Sequence, residues 1–290
     1  MSSISATGMK PAPTKVRLGY FEDVTTLPLV LGIEGIVKSA IIRKYAGAEE
    51  TRDQFLHDNL EVALLPAVDA LRLPNLAIIP TTAASAMGAS RLLMIFSKKI
   101  PTEIQRVLVD SEDFGATHLA RLLMAKRMMV RPEFVRSPTP LDPAKYDLTQ
   151  DDGFDAYLLT GRNNFFVRRD AFPFTMDLTQ AWYEYTKLPF VMHVWTMKKN
   201  MRILTLDREL GDIARRNETN PDAMVKQGDK LNVSQSSIRS IYERAMITVF
   251  DANIIQSLRK YAQELMQNKI LPMQPITLYA PTVVRKGING

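Results

Sequence analysis

The chain has 290 residues, 46% of them apolar, and a formal net charge of +6. That apolar fraction offsets the entropy of ordering and excludes a wholly disordered chain, and the length accommodates one or two domains. The absence of cysteine excludes disulfides, thiolate metal ligands and a cysteine nucleophile.

Residues 1–15, MSSISATGMKPAPTK, read as a flexible polar tail without the apolar stretch of a signal peptide. No later run is long and apolar enough to span a bilayer, so a cytoplasmic protein with no membrane partner is expected. Residues 16–21 (VRLGYF) open a strand, and Pro28 stands where a helix begins. Residues 39–45 form a second strand and 48–59 a polar helix. VALL at 62–65, bounded by Pro66, is a strand buried on both faces. Residues 76–79 and 92–96 are further strands.

The rhythm then repeats. Residues 107–109 form a strand ending at Asp110, 116–129 a helix, and 134–135 and 155–159 two more strands, the last broken by Gly161. Strands alternating with helices imply a mostly parallel sheet. The restart near residue 98 divides the chain into two α/β lobes. One comprises 16–98 plus 196–290, and the other 99–195. Asp177 caps a helix, and FVMHVW at 190–195 is a strand that returns the chain to the first lobe. Beyond Asp207 the chain is helical, with helices at 207–216, 234–245 and 251–268, and a proline-rich strap after Ile270.

The basic clusters at Lys126, Arg127 and Arg131, at Arg168 and Arg169, and at Arg215 and Arg216 do not interleave with aromatics. A nucleic-acid partner is therefore not expected, and a small anionic molecule is the better use of the charge. The three histidines, His57, His118 and His193, show no metal-ligand spacing. No P-loop, no G-x-G-x-x-G around Gly32 and Gly35, and no G-x-S-x-G elbow is present, so neither a metal nor a nucleotide cofactor is expected.

Two loops follow strand ends, where ligands gather in open α/β sheets. One runs from Asp23 to Thr26. The other runs over 111–117 into a helix whose free N–H groups suit a carboxylate or phosphate. Gly115 permits close approach and Thr117 adds a hydroxyl. A third small polar stretch, 81–90, either lines a cleft or makes a tight crossover. Arg91 and Arg162 each follow a strand or loop end and suit a carboxylate through a planar fork. The plainer readings are helix capping for the loops and surface ion pairs for the arginines.

Four stretches carry a family resemblance: VRLGYFEDVTTLPL (16–29), LEVALLPAVDAL (60–71), SRLLMIFSK (90–98) and above all DLTQAWYEYTKLPFVMHVW (177–195). Together they resemble the chorismate dehydratase family of futalosine-pathway menaquinone biosynthesis. The resemblance implies a two-lobed periplasmic-binding-protein-like (type II) fold with C-terminal helices. It also implies a lyase that removes water from chorismate to give 3-enolpyruvylbenzoate without metal or cofactor. By the same resemblance Thr25 and Thr26 take the catalytic loop positions, and Ser90, Arg91, Gly115, Ala116, Thr117, Gly161 and Arg162 bind the carboxylate-bearing substrate. The chain departs from the family at Thr25, where Asn is common, at Leu92 for Ser, at Gly115 and Ala116 for Thr-Ser, and at Arg162 for Asp. Those departures leave a second expectation, a non-catalytic binding protein or sensor for an anionic metabolite.

Overall fold

The computed structural model describes residues 15–110, 115–199, 201–203 and 205–280. The proposed tail falls almost wholly outside them, as do residues 111–114 of the second loop. The elements in chain order are β1 (Val16–Phe21), α1 (Leu27–Val30), α2 (Ile33–Ile36), β2 (Ala40–Tyr45), α3 (Ala48–Leu56), β3 (Val62–Pro66), α4 (Ala67–Arg72), β4 (Leu76–Ala86), β5 (Leu93–Ser97), β6 (Arg106–Val109), α5 (Gly115–Leu123), β7 (Glu133–Arg136), β8 (Ala156–Thr160), β9 (Phe174–Asp177), α6 (Leu178–Thr186), β10 (Phe190–Lys198), α7 (Leu206–Thr219), α8 (Pro221–Lys230), α9 (Gln235–Arg244), β11 (Met246–Val249) and α10 (Ala252–Gln267).

These strands form two sheets on one plan. The first has six strands in the order β11-β4-β10-β3-β1-β2, and the second five in the order β7-β6-β8-β5-β9. In each, three parallel strands (β2, β1, β3; β7, β6, β8) are followed by an antiparallel strand. That antiparallel strand arrives from the other lobe: β10 enters the first sheet and β5 the second. The uniform burial of β3 and β5 is what strands covered on both faces require.

The sheet membership of β5 and β10 corrects the expected boundaries. The lobes meet at residues 87–92 and 187–189, not at 98 and 195. A strand buried on both faces reads alike in either sheet, and its pairing partner is not written in its own residues. Residues 81–86, expected as a loop lining or crossover, continue β4 beyond Pro80. There β4 slips against β10, with Val194 opposite Ala83 but Thr196 opposite Ile78. The helix expected over 116–129 ends its α-form at Leu123 and closes with a π-turn at Met124–Met128. β9, β11 and α8 were not foreseen; β9 and β11 are four residues each, too short to show alternation.

The first crossing, 87–92, is bonded to the start of α6. Asp177 caps α6 by accepting from Thr179 N and Gln180 N, and it also accepts from Arg91 N at 2.7 Å. The Thr179 hydroxyl lies 2.7 Å from both the Gly88 carbonyl and Asp177 Oδ1, and 2.9 Å from Ser90 Oγ. Beside this hinge α10 packs on β10, α4 and α5, with Tyr261 against Trp182 and Phe190. The strap after Ile270 covers the open edge of β4: Ile78 N donates to Thr277 O and Tyr279 N to Ile78 O, which satisfies an edge that would otherwise invite pairing.

Candidate functional site

A cleft of about 560 Å³ lies between the lobes, at the carboxyl ends of the parallel strands. Its first wall comes from the opening loop (Asp23, Thr25), Arg52 of α3, Asp69 of α4 and His193 of β10. Its second wall comes from Asp110 after β6, the start of α5 (Gly115, Ala116), and Arg162 and Asn163 after β8. Leu231, between α8 and α9, closes one side, while Tyr242 of α9 donates to the Val24 carbonyl at 2.9 Å.

The opening loop turns tightly. Thr26 N and Leu27 N donate to the Asp23 carbonyl, and the Thr26 hydroxyl sits 2.9 Å from both Phe21 O and Asp23 N. The Thr25 hydroxyl donates to Asp23 Oδ2 at 3.1 Å. Gly161 of the opposite lobe presses against this carboxylate. It has φ +55, and a Cβ there would stand 2.4 Å from Asp23 Oδ2, so only glycine permits the approach.

Asp69 is fully buried, and burial pushes its pKa up against the pull of Arg72 and Arg52. Its Oδ1 accepts from Arg72 Nε at 2.7 Å, while Oδ2 has no hydrogen-bond partner among the described residues and lies 3.9 Å from Arg52. Arg52 also pairs with Glu49 and Asp53. Glu49 is bonded across the cleft by Arg136 of β7, and that bond holds its carboxyl below the usual range. On the second wall the Asn163 amide donates to Asp110 Oδ2 at 3.0 Å and to the Leu141 carbonyl at 2.9 Å. Arg162 is exposed and makes no hydrogen bond or ion pair among the described residues. No three acidic or histidine side chains among the described residues gather as a metal site.

Of the residues expected at the site, Thr25, Gly115, Ala116 and Arg162 line the cleft, and Gly161 backs it. Thr26 is spent on the turn. Ser90 is spent on the hinge, where its hydroxyl meets Thr179 and accepts from Leu92 N. Arg91 is also a hinge residue: with φ +58 it gives its N–H to Asp177, and its guanidinium lies over the Phe165 ring at 5.1 Å. Thr117, half-buried one residue further along α5, is not in the lining. Asp69, Asp110, Asn163 and His193 were not foreseen as site residues, and Asp23 was expected only as the start of the opening loop. Asp69 carried a signal, being the single charge between Glu61 and Arg72 in an apolar run, where a carboxylate is buried only if paired.

The profile of the menaquinone biosynthesis family matches residues 16–267. The chain belongs to that family. The stretch 177–195, which carries the resemblance, runs through the second crossing: the Asp177 cap, α6, the Lys187 turn with φ +61, and β10. Among solved structures, the chain is similar to a protein of Archaeoglobus fulgidus (15% identity, 88% of this chain and 98% of that one, TM-score 0.63). It is also similar to an ABC transporter protein of Parabacteroides distasonis (11%, 91% and 98%, 0.61) and to the periplasmic aliphatic sulphonate binding protein of Escherichia coli (9%, 96% and 98%, 0.58). The fold is periplasmic-binding-protein-like.

Proposed function

We propose that this family member takes chorismate into the cleft and removes water from it, giving 3-enolpyruvylbenzoate for menaquinone biosynthesis. The observation that carries the reading is the family match over residues 16–267, on a chain whose matched lobes face each other across one cleft. In the elimination a proton leaves a ring carbon, the neighbouring hydroxyl departs with its bonding pair, and the two leave as water. The resemblance assigns the proton to the substrate's own enolpyruvyl carboxylate, so the chain's task is positioning and anion binding.

Arg162 has a charge to spare for one carboxylate, and the Gly115 and Ala116 end of α5 offers the dipole for another. The Thr25 hydroxyl, its proton directed to Asp23 Oδ2, presents oxygen lone pairs to a substrate hydroxyl.

A second reading, binding without catalysis, is favoured by a particular feature. Arg52 and Arg136 are already engaged with carboxylates, so the cleft holds few uncommitted cations for a dianion. The E. coli relative in fold is by its description a sulphonate binding protein, which makes an organic anion a natural ligand of either kind. Incubating purified protein with chorismate separates the readings when 3-enolpyruvylbenzoate is followed by chromatography and heat of binding by calorimetry. Turnover is expected. Heat without product would replace the lyase by a sensor, and neither would remove chorismate as the ligand.

A further inference from the structure

His193 has no part in the reading above. It stands in the middle of the first sheet, opposite Pro66 of β3 and Ala84 of β4. Between Val191 and His193, β10 carries one residue more than β4, and such bulges re-aim side chains beside sites. The ring meets Phe21 edge-on at 5.3 Å between centroids and lines the cleft.

Its two nitrogens differ. Nδ1 is sealed in the protein with no hydrogen-bond partner. Nε2 makes no hydrogen bond among the described residues either but is not sealed, because the half-buried ring opens on the cleft. Enclosure pushes the pKa down to about 3, so the ring is neutral near pH 7.

A neutral imidazole carries one N–H, on one nitrogen or the other. Orphaned buried N–H groups are rarer in proteins than under-satisfied acceptors. The hydrogen therefore belongs on Nε2, and the lone pair is the part left unpaired inside. We propose that His193 is a ligand contact, a fixed neutral N–H donor that holds a hydroxyl, carbonyl or carboxylate oxygen of the molecule in the cleft. The proposal rests on the cleft being the ligand site and adds a donor to its first wall, where the other polar side chains that line it are carboxylates, Thr25, the engaged Arg52 and Tyr261, whose hydroxyl is directed to the Gly115 carbonyl at 3.5 Å. It also limits the ligand class to molecules with an acceptor oxygen on the face turned to β10.

The test uses the full chain with ¹⁵N-labelled histidine, the His193 signals being assigned by their loss in His193→Gln. The expected spectrum shows the Nε2–H tautomer of His193, unchanged between pH 8 and pH 5. An Nδ1–H tautomer, or titration near the ordinary histidine value, would overturn the proposal whatever the ligand is.

Chorismate affinity is then measured by calorimetry on wild type, His193→Phe and His193→Gln. Phenylalanine keeps the shape and loses the donor, and glutamine restores an N–H near the Nε2 position. The expected loss is about tenfold for Phe with an unchanged or higher melting temperature, and Gln recovers affinity to within about threefold of wild type. Equal binding by Phe and wild type would make His193 a packing residue and overturn the proposal. If wild type itself does not bind chorismate, the functional reading falls while the tautomer still decides for or against His193.

Discussion

At the hinge, Asp177, Thr179, Ser90 and the Gly88 carbonyl bond to one another, and Asp177 also takes the Arg91 N–H. In the cleft, polar groups of the same kinds are left over: Asp69 Oδ2 and His193 Nδ1 have no hydrogen-bond partner, and Arg162 has no ion pair among the described residues. The hinge groups sit at the first crossing and the start of α6, whereas the cleft groups come from α4, β10 and the loop after β8. The difference is one of degree: of the hinge groups named, Arg91 Nε alone is buried without a hydrogen-bond partner among the described residues, while the cleft keeps a carboxylate oxygen, a ring nitrogen and a guanidinium. Unspent capacity costs stability, and retaining it where a cleft opens is how a site holds binding power in reserve. The hinge should therefore matter to folding and the cleft to ligand, and four measurements press on that division.

The largest effect is expected at Asp177→Ala. It removes the α6 cap and strands the Arg91 N–H, in a residue whose φ of +58 already needs support. A loss of about 3 kcal/mol follows from a cap plus a buried unpaired donor, read by urea unfolding. A loss under about 1 kcal/mol would mean the first crossing is not coupled to α6 and the hinge is no more committed than the cleft.

Acid comes next. Burial holds His118 down to about 4 and His193 to about 3. Above the ordinary histidine value of 6.5 both are neutral in folded and unfolded chains alike. Below it the unfolded chain takes up protons that the folded chain refuses, so stability falls with pH until the folded values are reached. The expected slope between pH 6 and pH 5 is about 1.4 kcal/mol per pH unit for each histidine. Acids held low by their partners, such as Asp147 and Asp152 at about 2, act only at lower pH. His193→Phe should remove about half of the slope; an unchanged slope would mean that His193 is solvated and the first wall is open there.

The same division explains what could be read in advance. The two lobes, the helices capped by Asp177, Ser234 and Asp251, and the loop-borne candidates Thr25, Gly115 and Arg162 follow from local pattern, while Ala116 came with the family resemblance. Whether Ser90 and Arg91 face a ligand or a hinge depends on Thr179 and Asp177, more than 80 residues away, and no local pattern carries that. Asp69 and His193 lie inside apolar runs, where a polar residue reads as a packing anomaly until the cleft beside it is seen. The lobe boundaries shifted for a like reason, since sheet pairing is a long-range choice.

Gly161→Ala tests the contact that joins the walls. The added methyl group meets the Asp23 carboxylate, and the φ of +55 is strained for alanine, so a cost of about 1–2 kcal/mol is expected. Adding Asp23→Ala should recover the steric part and leave the backbone part. A double variant as unstable as the sum of the singles would show that the lobes do not meet there in solution, and that the walls act independently.

The smallest effect belongs to Arg136→Ala, although its partner Glu49 lies across the cleft. Both side chains are nearly half exposed, 49% and 41%, and water and salt weaken such a pair to less than about 0.5 kcal/mol. Because the bond joins the two lobes, it can hold them together by no more than that. Melting temperature and chorismate affinity should therefore shift little, the affinity by less than about threefold. A tenfold loss of affinity with unchanged stability would mean that Arg136 leaves Glu49 for the ligand's carboxylate. The cation counted as spent would then be in reserve, and the argument for binding without catalysis, which rests on the scarcity of free cations, would lose its footing.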